Sequence, residues 1–343
     1  MKMSLRLVLV VSLVCGSGVA ARADLPGPSP SPAPAPAAKK PGPRVVVGGK
    51  RVVKAGGDSR AWAALKPLLP ESVSLVGQVN LAALRGTETY NQLKRLALRD
   101  HDLKDVFDAG KLGCQLDLGD AIQDIAFATS EEPGNHAIVA VSFKGVVESD
   151  LVACVESAAA KKSGGARTVE AHRSGGITEY TLSGADAKVY AAWLAPDVVA
   201  FATDPEDRPA LVALVGGKGG MMGTPAAKRA YAAIAPGAAG FVVYLKSEKI
   251  ESYELKLAAA SVSLGAGRLG FDLSLVLADA DSARRAAADW SAQRDQLAQG
   301  GGGGVPAALG QMLKTVQITA VDDVVRVTVS VSEKDLFGAF PMF

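Results

Sequence analysis

Apolar and polar positions along the folded part of the chain follow two different periods, which predict both strands and helices. Every second residue is apolar along Leu269–Leu277, and this predicts a strand with one buried face. Along Val146–Lys162 the apolar positions are three or four residues apart, which predicts an amphipathic helix. Runs of strands joined by short turns alternate with helices. The pattern therefore predicts an α+β fold of mostly antiparallel sheet with helices packed on one face.

The order of the predicted elements recurs along the chain. In each half a short helix ends at a proline, Pro70 or Pro236, and a strand follows. Residues 216–223 lie between the halves and contain five glycines in eight positions. We therefore predict two similar α+β units, 44–215 and 224–343, joined by a Gly-rich linker.

The N-terminus has the features of a secretory signal peptide. Two basic residues precede the apolar stretch Leu7–Val14, and Ala21-Arg22-Ala23 supplies the small residues that a signal peptidase recognises. We predict a signal peptide over residues 1–23, with cleavage between Ala23 and Asp24. The protein is then exported, to the periplasm, the cell envelope or the medium.

Two alternatives would tie the N-terminus to a membrane. The first is an uncleaved anchor, although the apolar stretch is short for a membrane span. The second is lipid attachment at Cys15, although Val14 stands where the lipoprotein peptidase prefers a small residue. A membrane is expected as a partner only through one of these two routes.

The segment after the predicted cleavage site has the composition of a linker. Residues 26–43 contain eight prolines in 18 positions. Proline fixes φ and lacks an amide donor, so such a segment favours extended polyproline II structure. We predict a disordered Pro/Ala-rich tether over 24–43. Two glycines between valine-rich stretches then predict a short hairpin over 44–54.

Charge and composition argue against a nucleic-acid partner. The chain has 37 Lys and Arg against 35 Asp and Glu, and aromatic residues make up 5% of it. Proteins that bind nucleic acid usually have a basic surface and aromatic side chains on which bases stack. We therefore predict that the protein does not bind nucleic acid.

Motifs that resemble catalytic or binding sites have simpler explanations. The run Gly265–Gly270 matches the G-x-G-x-x-G pattern of dinucleotide sites, but a strand rather than a helix follows it, so we predict a hairpin turn. The three histidines lack zinc-site spacing, and the acidic pairs lie where Asp caps helices and turns. These residues are His101, His136, His172, Asp102/Asp105, Asp117/Asp120, Asp279/Asp281 and Asp322/Asp323. We predict no catalytic residue, no metal and no cofactor.

The cysteines suggest a cross-link. Removal of the signal peptide leaves Cys114 and Cys154. Cys154 lies on the apolar face of its predicted helix, and Cys114 lies shortly before the strand pair that leads into that helix. In an exported protein this placement predicts a disulfide between them. The alternative is two separately buried thiols.

Three segments, 112–117 (LGCQLD), 121–126 (AIQDIA) and 151–155 (LVACV), resemble uncharacterised exported bacterial proteins built as tandem α+β repeats. The resemblance covers about residues 62–215. Those proteins pair a Cys before a D-hydrophobic-x-D-hydrophobic strand entry with a Cys in the next helix. Gln115 departs from the pattern, where Gly is expected. The resemblance implies no activity, and it agrees with a disulfide and a non-enzymatic role.

These observations together predict an exported, non-catalytic binding or interaction module of the bacterial cell envelope, carried on a Pro-rich tether. Its partner would be an envelope protein or a lipid. One alternative is a periplasmic carrier of an apolar ligand such as lipid, with a cleft that opens near Met221 and Met222. A second alternative is a hydrolase without a recognised motif.

Overall fold

The structure is a computed structural model. It describes residues 58–99, 104, 107–108, 110–111, 116–129, 137–163, 165, 167–183, 188–202, 208–217, 219–250, 252–299 and 307–335. The predicted signal peptide, the Pro/Ala-rich tether and the hairpin over 44–54 lie outside these residues.

Antiparallel pairing joins thirteen strands of this part of the chain into one open sheet. They are β1 (Leu75–Val79), β2 (Ile122–Thr129), β3 (Ala137–Phe143), β4 (Val169–Ser174), β5 (Ile177–Leu182), β6 (Lys188–Ala195), β7 (Val198–Ala202), β8 (Gly240–Tyr244), β9 (Glu248–Ile250), β10 (Tyr253–Gly265), β11 (Arg268–Leu277), β12 (Gln317–Val321) and β13 (Val324–Ser332). Their order across the sheet is β12-β13-β11-β10-β8-β1-β2-β3-β7-β6-β5-β4, and β9 pairs with β10. The predicted α+β class is therefore confirmed.

Helices connect the strands. They are α1 (Arg60–Leu65), α2 (Leu81–Leu84), α3 (Glu88–Ala97), α4 (Leu118–Ala121), α5 (Glu148–Ser163), α6 (Arg208–Gly216), α7 (Pro225–Ala232), α8 (Ala280–Ala298) and α9 (Ala307–Leu313). Short 3₁₀ helices cover Lys66–Leu68 and Met221–Gly223. Among the helices that the structure describes, none combines the length and the apolar composition that crossing a membrane requires.

Helices pack on both faces of the sheet, so the prediction of helices on one face is wrong. Neighbouring residues of one strand point to opposite faces, and they belong to different apolar clusters. Ala126 packs in the cluster that contains α1, α6 and α7, whereas Phe127 packs in a cluster with residues next to α5. Val276 and Leu277 likewise belong to different clusters on opposite faces, and Leu277 packs against α8. Since both faces are covered, several strands have nearly continuous apolar sequences, such as that of β3.

An aromatic cluster anchors α1 and α7 on the first face. Trp62 is completely buried and stacks on Tyr231, with 5.6 Å between the ring centroids. Phe241 of β8 meets both rings edge-on. Such contacts add to the stabilisation from burial, and they hold the helices from the two halves of the chain together.

The predicted pair of similar repeats is not confirmed. Strands β1-β2-β3-β7-β6 and β8-β10-β11-β13-β12 do follow the same order from the centre outward, but β4 and β5 extend the first half alone. The halves also share one sheet, because β1 pairs with β8 from Leu75↔Tyr244 to Val79↔Gly240. Part of the predicted linker is packed against the fold: Met221 is 1% exposed and its N–H donates to Leu69 O at 3.2 Å.

Candidate functional site

An open groove of about 670 Å³ lies at the N-terminal end of α5. Helix α5 forms one wall, and β4 and β6 form the floor. We call it the α5 groove; it is lined by Val147, Glu148, Val152, Arg173, Trp193 and Pro196, with Ser149, Ala171 and Ala195. Its lining is mostly apolar, with charged groups at one end.

Glu148 is held in place by two side chains from neighbouring strands, and a third side chain supports one of these two. The Tyr180 hydroxyl donates to Glu148 Oε1 at 2.6 Å, and it accepts from Trp193 Nε1 at 2.9 Å. Arg173 Nη2 donates to Glu148 Oε2 at 2.7 Å. Both carboxylate oxygens therefore have donors, and the side chains form a continuous chain of hydrogen bonds from Trp193 to Arg173.

The electrostatics of these hydrogen bonds favour a fixed arrangement of the four side chains over proton transfer between them. Burial, together with the hydrogen bond to the Glu148 carboxylate, raises the pKa of Tyr180 above its usual value. The phenol therefore stays protonated and continues to donate. Because Glu148 already accepts from Tyr180 and Arg173, the arrangement is suited to hold the shape of the groove and to offer an ion pair at its rim.

The outer edge of β4 borders the same groove. Gly175 and Gly176, with φ of +60° and +81°, form a two-residue turn between Ser174 and Ile177. The two residues that flank such a turn form main-chain hydrogen bonds with each other. Hydrogen-bonded and non-hydrogen-bonded residue pairs then alternate along the two strands. The main-chain N–H and C=O groups of Ala171 and Arg173 consequently point away from β5.

One contact supports this orientation. The N–H of Val169, two residues before Ala171, donates to Glu156 Oε1 of α5 at 2.7 Å rather than to β5. Helix α5 thus covers one end of the β4 edge. At the other end, Ala171 and Arg173 line the groove, and β4 is the last strand of the described sheet.

The disulfide and the signal cleavage site remain predictions. Cys154 lies on α5, is 8% exposed and is not a free thiol in the structure. Its predicted partner Cys114 lies outside the described residues, as do Ala23 and Asp24.

The other sequence motifs that the structure describes form turns, helix caps and strand positions. Gly265–Gly270 spans the turn between β10 and β11, so the predicted hairpin is confirmed. Asp117 caps α4 and Asp279 caps α8, each accepting a backbone N–H. His172 lies on the exposed edge strand β4, whereas His101 and His136 lie outside the described residues. In the part of the chain that the structure describes, no group of three His, Cys, Asp or Glu side chains is placed to hold a metal.

The residues that build the α5 groove were not predicted from the sequence. Glu148, Tyr180 and Trp193 come from one helix and two strands, and no short motif contains them. A weak signal exists in hindsight: Tyr180 and Trp193 are large aromatic residues with hydrogen-bond donors within two neighbouring predicted strands.

Comparisons with known proteins assign the chain to no family. No protein-family model matches it, and no curated protein matches it. Among solved structures it is similar to the bacterial protein TP0453. Crystal form III gives a TM-score of 0.43 at 10% identity over 81% of this chain and 98% of that one. Crystal form IV gives 0.44 at 10% identity over 82% and 98%. A similarity of this size carries no conclusion about function.

Proposed function

We propose that the protein is an exported, non-catalytic interaction module, and that it binds an extended polypeptide segment at the α5 groove. The observation that carries this proposal is the position of Ala171 and Arg173. Their main-chain groups face the open edge of β4 while their side chains line the groove. A segment that added to this edge would gain main-chain hydrogen bonds and place alternate side chains in the groove.

The lining of the groove supports a partner with both apolar and charged side chains. Trp193, Val147 and Pro196 offer apolar contacts, and Val147 remains 42% exposed. Arg173, whose side chain is 70% exposed, and Glu148 offer a charge of each sign at the rim. A rigid aromatic floor with a polar rim is typical of protein interfaces.

The shape of the groove favours this role over transport of an apolar ligand. A carrier encloses its ligand, and lipid-sized ligands bury most of their surface. The α5 groove and a second pocket of the described chain are both open to solvent. The main apolar cluster of the described residues is filled by side chains such as Trp62, Leu211 and Met221, each 1% exposed or less.

Selection from a displayed library of random linear peptides against the mature protein tests the binding mode. We expect enriched peptides to slow amide hydrogen exchange at Ala171 and Arg173. Ala171→Pro should abolish binding with little loss of thermal stability, because the N–H that it removes does not bond to β5. Ala320→Pro in the opposite edge strand β12 is the matched control and should bind normally.

Two results would overturn this binding mode. The first is enriched peptides that leave the exchange of the β4 amides unchanged, and the second is Ala171→Pro protein that binds as well as the parent. If instead the peptides protect other residues, the mapped amides identify the true interface and the α5 groove is rejected.

Export is tested separately, by N-terminal sequencing of protein recovered from outside the cytoplasm. The expected first residue is Asp24. A first residue of lipid-modified Cys15, or retention of Met1, would replace the free exported form with a membrane-tethered one.

A further inference from the structure

A second pocket, of about 590 Å³, lies where β1 ends, β2 begins and the β10–β11 turn closes. Its lining includes Asn80, Arg85, Gln123, Lys144, the turn Gly265–Gly267 and Glu333. We call it the hairpin pocket. It shares no lining residue with the α5 groove.

Two cationic residues of the hairpin pocket bond to the same turn, Arg85 through its side chain and Lys144 through its main chain. Arg85 Nε donates to Gly119 O at 3.2 Å, and its Nη2 donates to Ile122 O. The main-chain N–H of Lys144 donates to Ala121 O at 2.8 Å, one residue before the carbonyl that Arg85 reaches. Carbonyl groups of one turn thus bind the guanidinium of Arg85 and the main chain of Lys144, and both residues line the pocket.

Neither cation is neutralised by a carboxylate of the described chain. The hydrogen-bond acceptors of Arg85 are carbonyl oxygens, and neither Arg85 nor Lys144 takes part in an ion pair among the described residues. Carbonyl oxygens hold the guanidinium without cancelling its charge. The remaining N–H groups of Arg85 and the exposed ammonium of Lys144 are therefore free to bind an anion.

The acid at the rim, Glu333, is already occupied. Its Oε2 accepts from the N–H of Glu88 at 3.3 Å, and its Oε1 accepts from the N–H and hydroxyl of Thr89 at 3.3 and 2.8 Å. Glu333 therefore caps the N-terminus of α3, where the helix dipole offsets its negative charge. The balance of charge in the hairpin pocket remains positive.

We propose that the hairpin pocket binds a small ligand through a phosphate group placed between Arg85 and Lys144. Two unpaired cations match the charge of a phosphate monoester, which is close to −2 near neutral pH. The planar guanidinium can bond two phosphate oxygens, and the ammonium supplies a point charge. The pocket is much larger than phosphate alone, and its volume suits a phosphorylated small molecule.

Calorimetric titration of the mature protein with inorganic phosphate and with glycerol 3-phosphate, at constant ionic strength, tests the proposal. We expect saturable binding of both probes. Tighter binding of glycerol 3-phosphate identifies a phosphate ester as the ligand, and equal affinity identifies free phosphate. Lys144→Gln should weaken binding about tenfold, the effect of one charge-assisted hydrogen bond.

The matched control is Lys228→Gln, since Lys228 is an exposed lysine on α7 that does not line the pocket. This variant should change affinity less than about twofold. Arg85→Lys, which keeps the charge but loses the fork of donors, should weaken phosphate binding without unfolding the protein. The proposal is overturned if phosphate binds no better than chloride, or if Lys144→Gln and Lys228→Gln bind alike.

Discussion

Gly219 lies against the main chain of Pro67, so that a β-carbon built on Gly219 would overlap the carbonyl oxygen of Pro67. The same glycine has a φ of +66°, which other residues adopt only with strain. The position therefore requires glycine for two independent reasons. Through this contact, the segment after α6 packs against the segment before β1.

Substitution of Gly219 by alanine should destabilise the protein by about 2–4 kcal/mol, because it combines backbone overlap with an unfavourable φ. Denaturant unfolding measures the change. Gly216→Ala is the control: Gly216 ends α6, and a β-carbon there meets nothing within 4 Å. That variant should be as stable as the parent or slightly more stable. Equal stability of the two variants would show that the segment after α6 is not packed as described.

The hydrogen-bonded chain of the α5 groove should produce a measurable pH dependence. Burial and Glu148 raise the pKa of Tyr180 in the folded protein above the ordinary value of 10.0. The native state therefore prefers the protonated phenol. This contribution to stability is fully present below pH 10.0 and is lost as the pH rises through the folded pKa.

Tyr180→Phe should lower the free energy of unfolding by about 1–2 kcal/mol at neutral pH, because Glu148 and Trp193 each lose a partner. The difference from the parent should shrink above pH 10.0. Urea unfolding at several pH values checks both statements. A difference that is constant across this range would mean that Tyr180 titrates alike in the folded and unfolded chains.

The predicted disulfide between Cys114 and Cys154 can be tested by alkylation of the exported protein under denaturing, non-reducing conditions. We expect no free thiol. Each single Cys→Ser variant should lose about 2–4 kcal/mol, and the double variant about the same, since all three remove one bond. Modification of both thiols in the denatured protein would establish the alternative of two separate thiols.

Local signals in the sequence predicted local structure well. Asn80 caps α2 through a hydrogen bond from Ala83 N, as its position before an apolar run predicts. The alternating apolar residues of Leu269–Leu277 predicted a strand, and β11 covers Arg268–Leu277. In contrast, the helical segment that begins after Asn80 is divided into α2 and α3 near Gly86, whose φ is +83°. Glycine allows this break, but the sequence does not show that the chain uses it.

Long-range relationships could not be predicted. The pairing of β1 with β8 and the cover of helices on both faces depend on which surfaces meet, and residue spacing within one segment does not contain this information. The α5 groove could not be predicted for the same reason. Its central hydrogen bond joins Tyr180 to Glu148, 32 positions apart, and neither residue belongs to a motif that signals the other.

The central position of β1 has a consequence for the way the protein forms. Chain synthesis produces β1 early, together with β2, but its second neighbour β8 follows only after β3 to β7. Until then a five-residue strand at the future centre of the sheet has one bare edge. Such edges recruit strands from other molecules, and distant pairing is slow because a long loop must close first. A product that ends before Gly240 keeps this edge permanently, and it will aggregate rather than form a smaller version of the protein.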